Sequence, residues 1–177
     1  MVIVMAYPLV LLLIGVVLNL FVFGVKPPIV ALPSAECLRA LVIAAVLLVI
    51  NHTWIMTSTE LTRVRFKMYS TPEEWEASGT SRHDAPEEGL RELERRHNTH
   101  RNTTENTIYF ILLVLVFVLV SPTTVAAQAW IVGFAVARLG YTYSYLAGKD
   151  GARGLFMSLS LLAMYGIASY LVMSLVV

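Results

Sequence analysis

The chain is poor in charge and in cysteine, and each scarcity excludes something. Only 14% of its 177 residues are Asp, Glu, Lys or Arg. The formal net charge of +1 lacks the basic excess that would footprint a nucleic-acid partner. One cysteine, Cys37, rules out an intrachain disulfide. It stands at the start of an apolar run and reads as a small buried hydrophobe rather than a nucleophile. His97 and His100 lack a third ligand in sequence, and His83 stands apart, so no metal site is expected. No internal repeat or low-complexity tract appears. The apolar N-terminus lacks the basic leader and small-residue cleavage site of a signal peptide, so it is read as a retained helix.

What is abundant is apolar sequence: 57% hydrophobic residues and a mean hydropathy of +0.70 exceed the 45–50% usual for soluble domains. A span needs about 20 apolar residues, and the chain supplies five such stretches. The first is residues 1–25, closed by Lys26-Pro27-Pro28. The second starts at Ser34, a suitable N-cap, and is uncharged from Ala40 to Thr59 before Arg63-Val64-Arg65. The run from Asn106 to Ala137 is too long for one helix, and Ser121-Pro122-Thr123-Thr124 divides it into a third and a fourth. The fifth is Gly154 to Val177. The expected fold is therefore all-α, an integral membrane helical bundle.

Five alternating spans put the polar segment from Lys67 to Asn98 and the loop from Gly148 to Arg153 on one face. Arg63, Arg65, Lys67, Arg82, Arg91, Arg95, Arg96, Arg101, Lys149 and Arg153 gather there, against Lys26 and Arg39 opposite. The positive-inside rule makes that face cytoplasmic, with the N-terminus on the same side. The polar segment is read as a loop too short to form its own core.

Arg138 is the only formal charge between Asn106 and Gly148. A guanidinium at membrane depth costs about 2.5–3.5 kcal/mol on insertion scales, so it needs a partner and usually has a task. Tyr141 and Tyr145 follow at i+3 and i+7, giving one helical face a cation and two phenols. Arg101 and Glu105 are spaced i,i+4 as the third helix enters the bilayer, and Glu105, in the same subunit or across an interface, is the expected partner of Arg138. Asn51, His52 and Trp54 in the second helix are further polar or amphipathic candidates for the same interior, although an intramembrane His more often bonds a neighbouring helix.

The order of these motifs resembles the family of membrane-associated proteins in eicosanoid and glutathione metabolism. The resemblance is to the branch of microsomal glutathione transferase type 1 and microsomal prostaglandin E synthase type 1. It is carried by His100-Arg101-Asn102-x-x-Glu105-Asn106-x-Ile108-Tyr109, by Thr62-Arg63-Val64-Arg65 with Pro72-Glu73-Glu74, by Ala137-Arg138-x-x-Tyr141-Thr142-x-x-Tyr145-Leu146, and by Arg153. It covers about residues 42–177, which makes residues 1–33 an additional N-terminal helix and short loop, and residues 34–177 a four-helix family domain with a cytoplasmic loop at about 67–97. Tyr141 stands where the family usually has His, and Asn98 where it has a further Arg. Gly154 and Met157 stand where the prostaglandin synthase has Ser and Tyr, which points away from prostaglandin synthesis.

The resemblance implies a homotrimer in the lipid bilayer that conjugates glutathione to lipophilic electrophiles, with peroxidase activity on lipid hydroperoxides from the same thiolate. Glutathione is then a substrate and no metal is required. Planar arginines suit its carboxylates and a glutamate its ammonium, so Arg63, Arg101, Asn102, Glu105, Arg138, Tyr141 and Tyr145 are the implied binding residues, with Glu74 in addition. Arg153, at the start of the last helix, is the implied thiol activator, because a cation and a helix N-terminus both favour the thiolate. A non-catalytic lipid-binding or scaffold protein and a small transporter are the alternatives. The set Arg101, Glu105, Arg138, Tyr145 and Arg153 favours the thiol site.

Overall fold

The computed structural model describes residues 2–177. Its helices are α1 (Val2–Leu18, extended by a π-helical turn Asn19–Phe23), α2 (Ala35–Phe66), α3 (Pro72–Ser78) and α4 (Glu87–Leu119). Then come α5 (Thr124–Ala127), which passes through a π-helical turn (Gln128–Val132) into α6 (Gly133–Leu146), and α7 (Asp150–Ser174). Among the described residues there is no strand, and four helices are long and apolar enough to cross a membrane: Ala6–Phe23, Ala35–Phe66, Glu87–Leu119 and Asp150–Ser174. The α5–α6 unit makes the fifth crossing, about 34 Å long at 1.5 Å per residue. The chain is a multi-pass helical membrane bundle.

Local chemistry sets the ends. Ser34 caps α2 by accepting the Cys37 N–H at 3.3 Å, as its sequence position predicts. Thr123 caps α5 and also donates its hydroxyl to the Phe23 carbonyl at 2.9 Å, while its N–H donates to the Tyr170 hydroxyl at 3.2 Å. One threonine thus ties three helices at the end of the bundle opposite the polar segment.

The core stripe of α2 is Cys37, Ala40, Ala44, Asn51, Ile55, Thr59 and Thr62, all near one helical face. It meets Phe110, Phe117 and Phe134, with Phe110 and Phe134 stacked at 3.8 Å between centroids. Small residues let the helices approach, as is usual where lipid supplies no hydrophobic drive. A Cβ on Gly15 would lie 3.2 Å from the Gly166 backbone, and one on Gly166 would lie 2.5 Å from the Trp130 ring.

The first helix, α1, lies parallel to α7: Tyr7 bonds Ser158, Gly15 abuts Gly166, and Asn19 bonds Ser169. First and fifth crossings in the same direction fit five alternating spans.

Two boundaries differ from the sequence reading. The polar segment is largely helical, since α4 begins at Glu87 rather than near Asn98. Proline at its N-cap and two glutamates in its first turn start the helix, and Arg91–Glu87 and Arg96–Glu92 pairs brace it in water. The last helix likewise begins at Asp150, four residues before Gly154. Between α2 and α4, α3 is opened by a capping box of Thr71 with Glu74, and hydrogen bonds from Ser81 hold the pKa of the exposed Asp84 carboxyl below its ordinary value.

Candidate functional site

Arg138 is fully buried in α6, and its partners are neutral. Nη2 donates to Asn102 Oδ1 at 2.9 Å and Thr103 Oγ1 at 2.8 Å. Nη1 reaches Ser160 Oγ at 3.4 Å and Met157 Sδ at 3.7 Å, and the guanidinium lies 4.3 Å from the Tyr141 ring centroid. The expected ion pair with Glu105 does not form within the protomer. Glu105 is exposed, about 200° of helical rotation from the buried Thr103, and the α4 side chains that bond Arg138 are Asn102 and Thr103. The buried cation is held instead by oriented dipoles and a π face, a cheaper solution than two desolvated charges.

From Arg138 a ladder climbs to the α6–α7 turn at the end of the bundle. Tyr141 and Tyr145 meet edge to face at 5.6 Å, and the Arg153 guanidinium lies 4.9 Å over the Tyr145 ring. Arg153 also reaches Asp150 at 3.3 Å. The i, i+3, i+7 spacing supplies the first three rungs. The tight α6–α7 turn supplies the fourth.

Arg153 and Tyr145 line a polar cleft of about 310 Å³ with Arg91, Glu94, Arg95 and Asn98. A separate, apolar groove of about 540 Å³ runs between α2 and α4, lined by side chains such as Leu41, Leu48, His52, Thr103, Thr107 and Ile111. Thr103 belongs both to this groove and to the Arg138 bonds.

The other sequence-derived residues divide. Asn102 is in place as a partner of Arg138, and its carbonyl accepts from Asn106 at 2.8 Å. Arg101 is exposed and donates to Asn98 Oδ1 at 2.9 Å, and no ion pair between it and the likewise exposed Glu105 occurs among the described residues. Arg63 pairs with Glu60 at 2.6 Å and lines a small cleft with Tyr69, Trp75 and Arg82, not the Arg153 cleft. Glu74 accepts the N–H groups of Ser70 at 2.7 Å and Thr71 at 3.3 Å, which commits its carboxylate to the α3 cap. His52 and His100 come to 5.6 Å between ring centroids, yet no cluster of three metal-ligating side chains occurs among the described residues. Thr103, Ser160 and Arg95 were not singled out from sequence as site residues. Thr103 adjoins a recognised Asn, whereas nothing in the sequence ties Ser160 or Arg95 to α6.

A buried arginine, a phenol ladder and a charged cleft at one end of a five-crossing bundle define a helical membrane protein with a polar interior. The chain belongs to the MAPEG family, whose profile matches residues 41–173. It is also 28% identical over 120 residues to prostaglandin E synthase of Canis lupus familiaris, spanning 68% of this chain and 76% of that one. The Equus caballus prostaglandin E synthase is 29% identical over the same extent. The α1 helix lies outside the matched residues.

Proposed function

We propose that the protein is a membrane-bound glutathione transferase, using the glutathione thiolate against lipophilic electrophiles that arrive through the bilayer, and against lipid hydroperoxides. Family membership supports a glutathione-dependent membrane enzyme. The observation that carries the transferase reading is the position of Arg153: stacked on Tyr145, at the first turn of α7, in a cleft of mixed charge. A tripeptide with two carboxylates and an ammonium suits that mixture, and a free thiol with a pKa of roughly 8.5 needs a cation to ionise at neutral pH. The apolar groove along α2 and α4 suits the lipophilic partner.

Arg101 and Glu105 face outward without an ion pair between them, and exposed charge entering the bilayer needs a neighbour. In this reading the neighbour is a second subunit of a homotrimer, and glutathione lies between subunits on the cytoplasmic side. There Arg63, Arg101 and Glu105 complete a site begun by Tyr145 and Arg153, with Arg138, Asn102 and Tyr141 behind it.

A second reading, isomerisation of a prostaglandin-type endoperoxide, is favoured by the relatives' names. The lack of a hydroxyl at Gly154 and a methionine at Met157, where the resemblance gives Ser and Tyr, weigh against it. Turnover of an aryl halide with a panel of low-molecular-weight thiols, beside turnover of an endoperoxide, tests both. Saturable glutathione-dependent conjugation lost by about 10²–10³-fold in Arg153→Ala, and partly kept in Arg153→Lys, is the expected result. Endoperoxide isomerisation without aryl conjugation would establish the second reading.

A further inference from the structure

We infer that Arg95 is a positioning residue, which locks the α6–α7 turn and so holds the Tyr145 ring beneath Arg153; its link to activity rests on the transferase reading above. Arg95 Nη1 donates to the Tyr145 carbonyl at 3.3 Å, across from α4 to the last turn of α6. That carbonyl belongs to the negative end of the helix, where a guanidinium is favoured, and it also accepts the Gly148 N–H at 3.2 Å. The same Nη1 would lie 3.1 Å from a Cβ on Gly148, whose φ of +67° is the left-handed turn that ends α6. Arg95 therefore bonds a carbonyl of the last turn of α6 and packs close against the glycine that reverses the chain.

Two further contacts aim the grip. Glu92 Oε1 lies 3.5 Å from Arg95 Nε, and its Oε2 lies 2.6 Å from Arg96 Nη1. Arg96 in turn donates from Nε to the Ser58 carbonyl of α2 at 3.0 Å. One carboxylate thus steers adjacent arginines in opposite directions, one to α2 and one to α6. Beyond the turn, the Lys149 N–H donates to the Ser144 carbonyl at 2.8 Å and the Arg153 N–H to the Lys149 carbonyl at 2.9 Å, a continuous path from the grip to the start of α7. Among the described residues, the remaining charged groups of the cleft, Arg91, Glu94 and Asp150, make no hydrogen bond to Tyr145 or Gly148.

The test uses the full chain in lipid nanodiscs, with 3-fluorotyrosine at position 145 and the wild type, Arg95→Met, Arg95→Lys and Arg153→Met compared. The fluorine resonance reports the cation above the ring without any thiol. It should move in Arg153→Met, move the same way in Arg95→Met, and move less in Arg95→Lys, which keeps a charge but not the fork. The ultraviolet absorbance of bound glutathione thiolate should then titrate at higher pH in Arg95→Met, toward the roughly 8.5 of a free thiol, with turnover reduced by up to about 10²-fold. A fluorine resonance unmoved in Arg95→Met, yet moved in Arg153→Met, overturns the inference. Should Arg95→Met not fold, a wild-type resonance and titration in Arg95→Lys overturn it equally. A wild-type protein that shows no thiolate sinks the transferase reading, and the fluorine comparison still decides the role of Arg95.

Discussion

Asn19 Oδ1 accepts the indole N–H of Trp130 at 2.8 Å, while its amide nitrogen donates to the Gly166 carbonyl at 2.7 Å and to Ser169 Oγ at 3.0 Å. A fully buried asparagine therefore fastens the first helix to both α7 and the π turn that precedes α6. Asn19→Leu should lower stability by about 1–2 kcal/mol, since it leaves the indole unpaired in an apolar setting. Thermal unfolding in detergent measures it. A variant as stable as the wild type would mean that apolar contacts alone seat α1.

The absence of a carboxylate beside Arg138 makes a distinct coupling prediction. Asn102→Ala combined with Arg138→Leu should be non-additive by about 0.5–3 kcal/mol, because the two side chains bond directly. Glu105→Gln combined with Arg138→Leu should be additive within about 0.5 kcal/mol. Double-mutant cycles on thermal stability read both. Strong coupling to Glu105 would require Arg138 to leave its buried partners.

Gly166→Ala should be destabilising by about 1–3 kcal/mol, since the new methyl would lie 2.5 Å from the rigid Trp130 ring. Gly151→Ala is the control. Its Cβ meets nothing within 4 Å, so the same substitution there should be neutral or slightly stabilising. Equal effects at the two glycines would show that the approach of α7 to Trp130 is not tight.

Ten basic residues on one face against two on the other predict that the polar segment is cytoplasmic. Thr80, exposed in the turn between α3 and α4, is the place to look. In a variant with Cys37→Ala and Thr80→Cys, an impermeant thiol reagent should leave the chain unlabelled in intact cells and label it after permeabilisation. Ready labelling from outside reverses the orientation.

The helices and most of their ends were legible in the sequence, because span length, the Ser34 cap and the Ser121-Pro122 break are local properties. So was the Arg138–Tyr141–Tyr145 face, since helical spacing is fixed by the backbone whatever the neighbours do. The start of α4 at Glu87 was less legible: a polar helix in water carries no apolar period, and its ion pairs resemble a charged loop. The partner of Arg138 was decided only by tertiary structure. Opposite charge and depth pointed to Glu105, but which residues of α4 face α6 depends on the rotation of the packed helix, and that rotation presents Asn102 and Thr103. The grip of Arg95 on the α6–α7 turn has the same origin. Sequence fixes what each helix can offer on each face, while the pairing of faces follows from close packing, where Gly15, Gly166 and the aromatic stacks set the distances between helices.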